Sequence, residues 1–112
     1  MNYGFIGLGN MGSSIIRGMV SKGNIPPKTI LGYDVISATA QAVVKVTGIQ
    51  LCASNLELVK NSDVVVLGVK PQMLSQVLAE IKSLPLSGKL FLSIATGKDL
   101  DFLQKGLGQD LP

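Results

Sequence analysis

The chain has 112 residues, 46% hydrophobic and only 15% charged, which fits one globular domain with a real core and excludes a disordered chain. Its net charge is +3, its basic residues are scattered and its aromatics make up 4%, so it has no nucleic-acid surface with stacking rings. With no histidine and one cysteine, it excludes His-based metal sites, Ser-His-Asp triads and any internal disulfide.

The first predicted element is Gly4-Phe5-Ile6, short, apolar and bounded by glycine, as a buried parallel strand is. Gly7-Leu8-Gly9-Asn10-Met11-Gly12 follows it and opens a helix, a G-x-G-x-x-G pattern in the place where a dinucleotide site needs it. Gly7 permits a tight strand-to-helix turn. Gly9 lets backbone approach a pyrophosphate, and Gly12 lets the helix pack closely on the strand. The free N–H groups and positive end of that helix then face the phosphates. The plain alternative is a glycine-rich turn in an unrelated α/β domain. Asp34 argues against it: the residue ends a second apolar run, 34 − 12 = 22 positions past the last glycine, where about 20 is expected.

From 11 to 21, Ile15, Ile16, Met19 and Val20 share one helical face. Gly18 interrupts that helix, and a close approach of helix to sheet would account for it. Gly23 is the expected stop, and residues 24–28, with Pro26-Pro27, form a loop. Residues 29–34 make the second strand. Ser37 caps a helix from Ala38 to about Thr47, stopped by Gly48. Residues 49–52 form the third strand, which carries Cys52 as a small buried hydrophobe rather than a reactive thiol. Ser54-Asn55-Leu56-Glu57 matches a capping box and opens a short helix to about Lys60. Residues 64–69 are β-branched and continuous, the mark of a central strand buried on both faces. Leu74, Val77, Leu78 and Ile81 repeat at i, i+3, i+4 and i+7, an amphipathic helix. Residues 90–94 form a fifth strand, and Asp99 caps a final helix from 100 to about 107.

This alternation predicts an α/β fold, a Rossmann-type doubly wound parallel sheet in a single three-layer domain spanning residues 1–112. Ligands in such sheets sit at the carboxyl ends of the strands. Loops 34–37, 69–72 and 95–97 leave those ends and become candidates to line a cofactor; the alternative for each is an ordinary surface loop. The longest apolar run, 64–69, is far too short to span a membrane, and the N-terminus lacks a basic region followed by an apolar core. The expectation is a cytoplasmic protein without membrane or nucleic-acid partners.

Four segments together resemble pyrroline-5-carboxylate reductases. They are residues 4–12, Asn55-Leu56-Glu57-Leu58-Val59 ahead of Asp63, Val69-Lys70-Pro71-Gln72 after the valine-rich strand, and Ser93-Ile94-Ala95-Thr96-Gly97. Thr96 stands where that family usually has alanine, and Lys98 where an apolar residue is common. The resemblance runs in order along essentially the whole chain. It implies NADPH- or NADH-dependent reduction of the cyclic imine pyrroline-5-carboxylate, a small-molecule substrate, to L-proline. By the same resemblance Ile6, Gly7, Leu8, Gly9, Asn10 and Met11 hold the pyrophosphate through backbone N–H groups, with Gly12 closing the turn. Asp34 lies beside the adenosine ribose, and Asn55 contacts the adenosine end. Gly68, Val69, Lys70 and Pro71, with Ile94, Ala95, Thr96 and Gly97, line the nicotinamide side. Lys70 as a solvated strand-end lysine and Asn55 as a plain helix-start residue remain open alternatives.

A carboxylate at the Asp34 position bonds the ribose hydroxyls of NAD and repels a 2′-phosphate. No arginine or lysine falls between Val35 and Ala42 to clamp such a phosphate, although Ser37 can donate a hydrogen bond to it. The local chemistry therefore leans toward NADH, where the family commonly accepts NADPH. No residue reads as a catalytic acid, base or nucleophile or as a metal ligand; in hydride transfer the cofactor carries the chemistry and the protein orients it. The resemblance also implies a further strand and a helical domain beyond Pro112, which in the family forms the homo-oligomer and most of the substrate pocket. The expectation is thus the cofactor-binding part of a reductase, weak in turnover alone and prone to self-association through an uncovered sheet edge. Two other enzyme readings share the glycine pattern: β-hydroxyacid dehydrogenases of the 3-hydroxyisobutyrate type and deazaflavin-dependent NADP reductases. A non-enzymatic nucleotide-binding module is the remaining alternative.

Overall fold

A computed structural model shows the architecture and describes residues 1–94. Five strands lie parallel: β1 (Tyr3–Ile6), β2 (Ile30–Tyr33), β3 (Gln50–Leu51), β4 (Val64–Leu67) and β5 (Leu90–Ser93). Between them run α1 (Asn10–Ser21), α2 (Ser37–Thr47), α3 (Asn55–Lys60) and α4 (Pro71–Ile81). The order across the sheet is β3-β2-β1-β4-β5. The expected final helix, with Ala95, Thr96 and Gly97, lies outside the described residues.

Alternation along the strands divides the core into two layers. Phe5 and Val66 face one side, packed with Ile16 of α1 and Ala40 and Val43 of α2. Ile6, Val65 and Leu67 face the other, packed with Leu58 and Val59 of α3 and with Leu74, Val77, Leu78 and Ile81 of α4. The i, i+3, i+4, i+7 stripe of α4 is buried along its whole length. Parallel strands buried on both faces read as continuous apolar runs, and Val65, Val66 and Leu67 conform. The chain leaves β1 toward β2 and leaves β4 toward β5, so the connections part in opposite directions between these two neighbours. That is the switch point of a doubly wound sheet, where a crevice opens at the carboxyl ends.

Several boundaries differ from expectation. The third strand is two exposed residues at a sheet edge, with only Ile49 before it buried and Cys52 half-buried. Ser37 is not a cap. It is the first helical residue of α2, its N-cap is Ile36, and its Oγ accepts a hydrogen bond from Gln41 Nε2 at 3.2 Å. The cause is Asp34, whose Oδ1 accepts the Ile36 N–H at 2.8 Å and curls the chain into the helix one residue early. Gly18 answers no close approach to the sheet, since a Cβ there would meet nothing within 4 Å. After α1 the left-handed residue is Asn24 (φ 53°) rather than Gly23, whereas Gly48 does end α2 in that conformation (φ 78°). The fourth strand stops at Leu67, so Gly68 and Val69 belong to the turn. β5 lies at the other sheet edge, with Leu90 and Leu92 exposed on it. Among the described residues no helix is long and apolar enough to cross a membrane.

Candidate functional site

The glycine turn and the end of β4 are built against each other. Gly7 has φ +95°, and a Cβ on it would stand 2.7 Å from the carbonyl oxygen of Gly68. Either fact alone calls for glycine. Gly68 in turn donates its N–H to Ile6 O at 2.8 Å, which ties the two strand ends together. A Cβ on Gly12 would come 2.7 Å from Gly7 O, so the first turn of α1 closes directly over the strand end. A Cβ on Gly9, by contrast, meets nothing within 4 Å.

Helix α1 therefore begins uncapped. Its N-cap is Gly9, which has no side chain to offer, and Ser13 N–H bonds Gly9 O at 2.8 Å. The amides of Asn10, Met11 and Gly12 thus find no acceptor inside the helix. Two amides expected to face phosphate are engaged elsewhere. Gly7 N–H donates to Tyr33 O at 2.9 Å, and Leu8 N–H donates to Asp34 Oδ2 at 2.8 Å. Ile6 is a buried strand residue whose carbonyl serves Gly68. An anion at this turn is accordingly met by the amides at the head of α1, with Ile6, Gly7 and Leu8 shaping the turn beneath them.

Two adjoining hollows cross the carboxyl end of the sheet. One, of about 270 Å³, lies at the switch point; Gly7 and Gly9 floor it, Asp34 flanks it, and Gly68, Val69 and Lys70 form the far side. The other, of about 290 Å³, runs toward β3 past Ser37, Ala40, Leu51 and Cys52. Asp34 and Val35 line both. Thr39 and Met73 enter the lining without having been singled out in the sequence, whereas Val35 and Ile36 fall within the loop 34–37 expected to line it. Both are exposed although apolar, as suits the wall of an open crevice.

Lys70 is exposed at the rim as the N-cap of α4, and Pro71 opens that helix at a position where a missing N–H costs nothing. Asn55 opens α3 beside the capping Ser54, whose Oγ accepts the Glu57 N–H at 3.1 Å. The reciprocal arm of the box goes to Ala53 N–H, 3.4 Å from Glu57 Oε2. Asn55 itself is buried, and its Oδ1 has no hydrogen-bond partner. An orphaned buried acceptor is a costly feature that a ligand donor would relieve. Burial, and secondarily the Glu57 carboxylate, push the Cys52 thiol up from its ordinary value, which opposes thiolate reactivity.

The family described as "NADP oxidoreductase coenzyme F420-dependent" matches residues 2–97. The chain belongs to that family. It is 38% identical over 107 residues to pyrroline-5-carboxylate reductase of Arabidopsis thaliana, which covers 96% of this chain and 39% of that protein. Among solved structures, a pyrroline-5-carboxylate reductase from Coxiella burnetii superposes with a TM-score of 0.88 at 32% identity, covering 96% of this chain and 40% of that one. The Plasmodium falciparum pyrroline carboxylate reductase, solved with NADP bound, superposes with a TM-score of 0.84 at 32% identity over 98% of this chain and 39% of that one. The resemblance read from the four sequence segments is met by these relatives, and so is the Rossmann-type fold. The chain spans about 39% of the length of the curated relatives it matches first.

Proposed function

We propose that the chain is the dinucleotide-binding domain of a reductase that converts pyrroline-5-carboxylate to L-proline at the expense of NADH or NADPH. The observation that carries the reading is the uncapped head of α1, set by Gly7 and Gly12 against the β1–β4 switch point. The residues present fit the cofactor. Amides at the head of α1 meet the pyrophosphate, Asp34 and Asn55 meet the adenosine end, and Gly68, Val69, Lys70 and Pro71 stand on the nicotinamide side. Ile94, Ala95, Thr96 and Gly97 complete that side by the same resemblance. When bound, the nicotinamide supplies the hydride; the chain supplies binding and orientation.

The substrate rests on the relatives of 38% and 32% identity, all named for this imine. By the same resemblance residues 1–112 act as the cofactor-binding domain, and a helical part that closes the imine pocket and joins subunits accounts for the family's further length. Oxidation of NADH or NADPH by the intact protein, with pyrroline-5-carboxylate as acceptor and proline as product, tests the reading. Proline formation supports it. Cofactor binding without turnover of this imine would leave only the nucleotide site. The family's description favours a second reading, hydride exchange between NADP and a reduced deazaflavin. Oxidation of that deazaflavin, in an assay where the imine is inert, would select it.

A further inference from the structure

We propose that the chain carries a second anion site, at the end of the sheet opposite the crevice, which takes a small phosphorylated ligand with two or more negative charges. A hollow of about 350 Å³ opens there, lined by Lys60, Leu84, Pro85, Ser87 and Lys89. It is larger than either hollow of the crevice and shares no lining residue with them. Lys60 closes α3 ahead of β4, and Lys89 stands directly before β5. Both therefore sit where the chain enters the sheet, whereas the crevice lies where it leaves. The four residues of each strand put about 13 Å between the two ends. The dinucleotide reading neither needs this hollow nor accounts for it.

The chemistry of the lining is one-sided. It brings together two ammonium groups and a hydroxyl, and no carboxylate. Asp63, the acidic residue that follows Lys60 in the chain, is engaged elsewhere: its Oδ2 accepts the Asn2 N–H at 2.7 Å. Lys89 is also held in place. It is half-buried, and its Nζ donates to Ser62 O at 2.6 Å. Ser62 is itself buried, with its Oγ donating to Leu58 O at 2.6 Å. An ammonium anchored in this way loses less side-chain freedom on binding than one that swings in solvent. It has three donors, so two remain after the bond to Ser62. The fully buried Leu86 pins the loop that carries Ser87, and Gly88 turns that loop at φ +83°. Two point charges on one hollow favour an anion that engages both, which suits a multiply charged phosphate better than a single carboxylate. Leu84 and Pro85 keep part of the wall apolar, and a lower local dielectric strengthens the pairing. The volume is that of a small-molecule site.

The test is titration of the isotope-labelled intact protein with inorganic pyrophosphate at constant ionic strength, read as backbone amide shifts. The expected result is saturable shifts at Lys60, Leu84 and Ser87 to Lys89, with half-saturation on the order of 1 mM. These shifts persist when NADH is present in excess, whereas pyrophosphate shifts at the head of α1 are then lost. Lys60→Gln weakens binding at the second site about three-fold, and Lys60→Gln combined with Lys89→Gln about ten-fold, with the affinity for NADH unchanged. Because the two sites share no residue, failure of NADH to bind leaves the shifts at Lys60 and Ser87 to Lys89 readable. Where the double variant fails to fold, because Lys89 also serves Ser62 O, the exposed Lys60 decides alone. No shifts at these residues up to about 10 mM pyrophosphate, equal shifts with chloride at the same ionic strength, or an affinity that neither variant alters would overturn the proposal.

Discussion

Two glycines two positions apart in the turn do different work, and substitution separates them. Gly7 holds a positive φ and a backbone contact that no side chain tolerates, so Gly7→Ala is expected to lower stability by at least about 2 kcal/mol. Gly9 has an ordinary φ of −71° and open space around its missing Cβ. Gly9→Ala is therefore expected to change stability by less than about 1 kcal/mol while weakening dinucleotide binding by about ten-fold, because the methyl enters the floor of the crevice. Denaturant unfolding paired with titration checks both. Equal loss of stability in the two variants would show that Gly9, too, is merely a folding residue. The motif was legible because the chemistry of a tight turn admits few residue types. The use of Leu8 N–H by Asp34 was not legible, because a bond between residues 26 positions apart depends on how β1 and β2 come into register.

At the scale of elements, apolar patterning and capping signals placed the five strands and the four α-helices of the described residues, with errors at their ends, while the 3-10 turn at Pro27–Thr29 was read as loop and strand start. α4 was readable from four apolar positions because all four are buried against the sheet. The start of α2 was misread because no side chain caps it: Asp34 Oδ1 accepts the N–H of Ile36, just ahead of the helix, and Ser37 lies inside the first turn. The start of α3 was read correctly, because Ser54 bonds within its own turn. Loss of that cap is a clean test: Ser54→Ala should lower stability by about 1 kcal/mol. Ser37→Ala, at a residue that caps nothing, should change it by less than about 0.5 kcal/mol. Equal losses in thermal or denaturant unfolding would contradict the capping assignment. The third strand shrank to two exposed residues because an edge position buries only the residue that enters the core beneath it, here Ile49.

At the scale of the molecule, opposite connections from β1 and β4 create the crevice, and the glycine turn, the clamped Asp34 and the β4 turn converge on it. Fold class and the position of the crevice were thus readable from the alternation of strands and helices, since topology alone sends the strand ends to one side. What the alternation could not show is which amides remain free, which carboxylate oxygen is engaged, and that Asn55 buries an orphaned acceptor. These follow from three-dimensional register. The central claim is that this crevice binds a dinucleotide, and the most direct measurement is a map of backbone amide shifts in isotope-labelled protein as NADH is added. Shifts concentrated at Gly9 to Gly12, Asp34 to Ser37, Asn55 and Gly68 to Lys70 are expected. Shifts confined to the smaller hollow between α1 and α2, around Arg17 and Val46, or no shifts at saturating NADH, would contradict it.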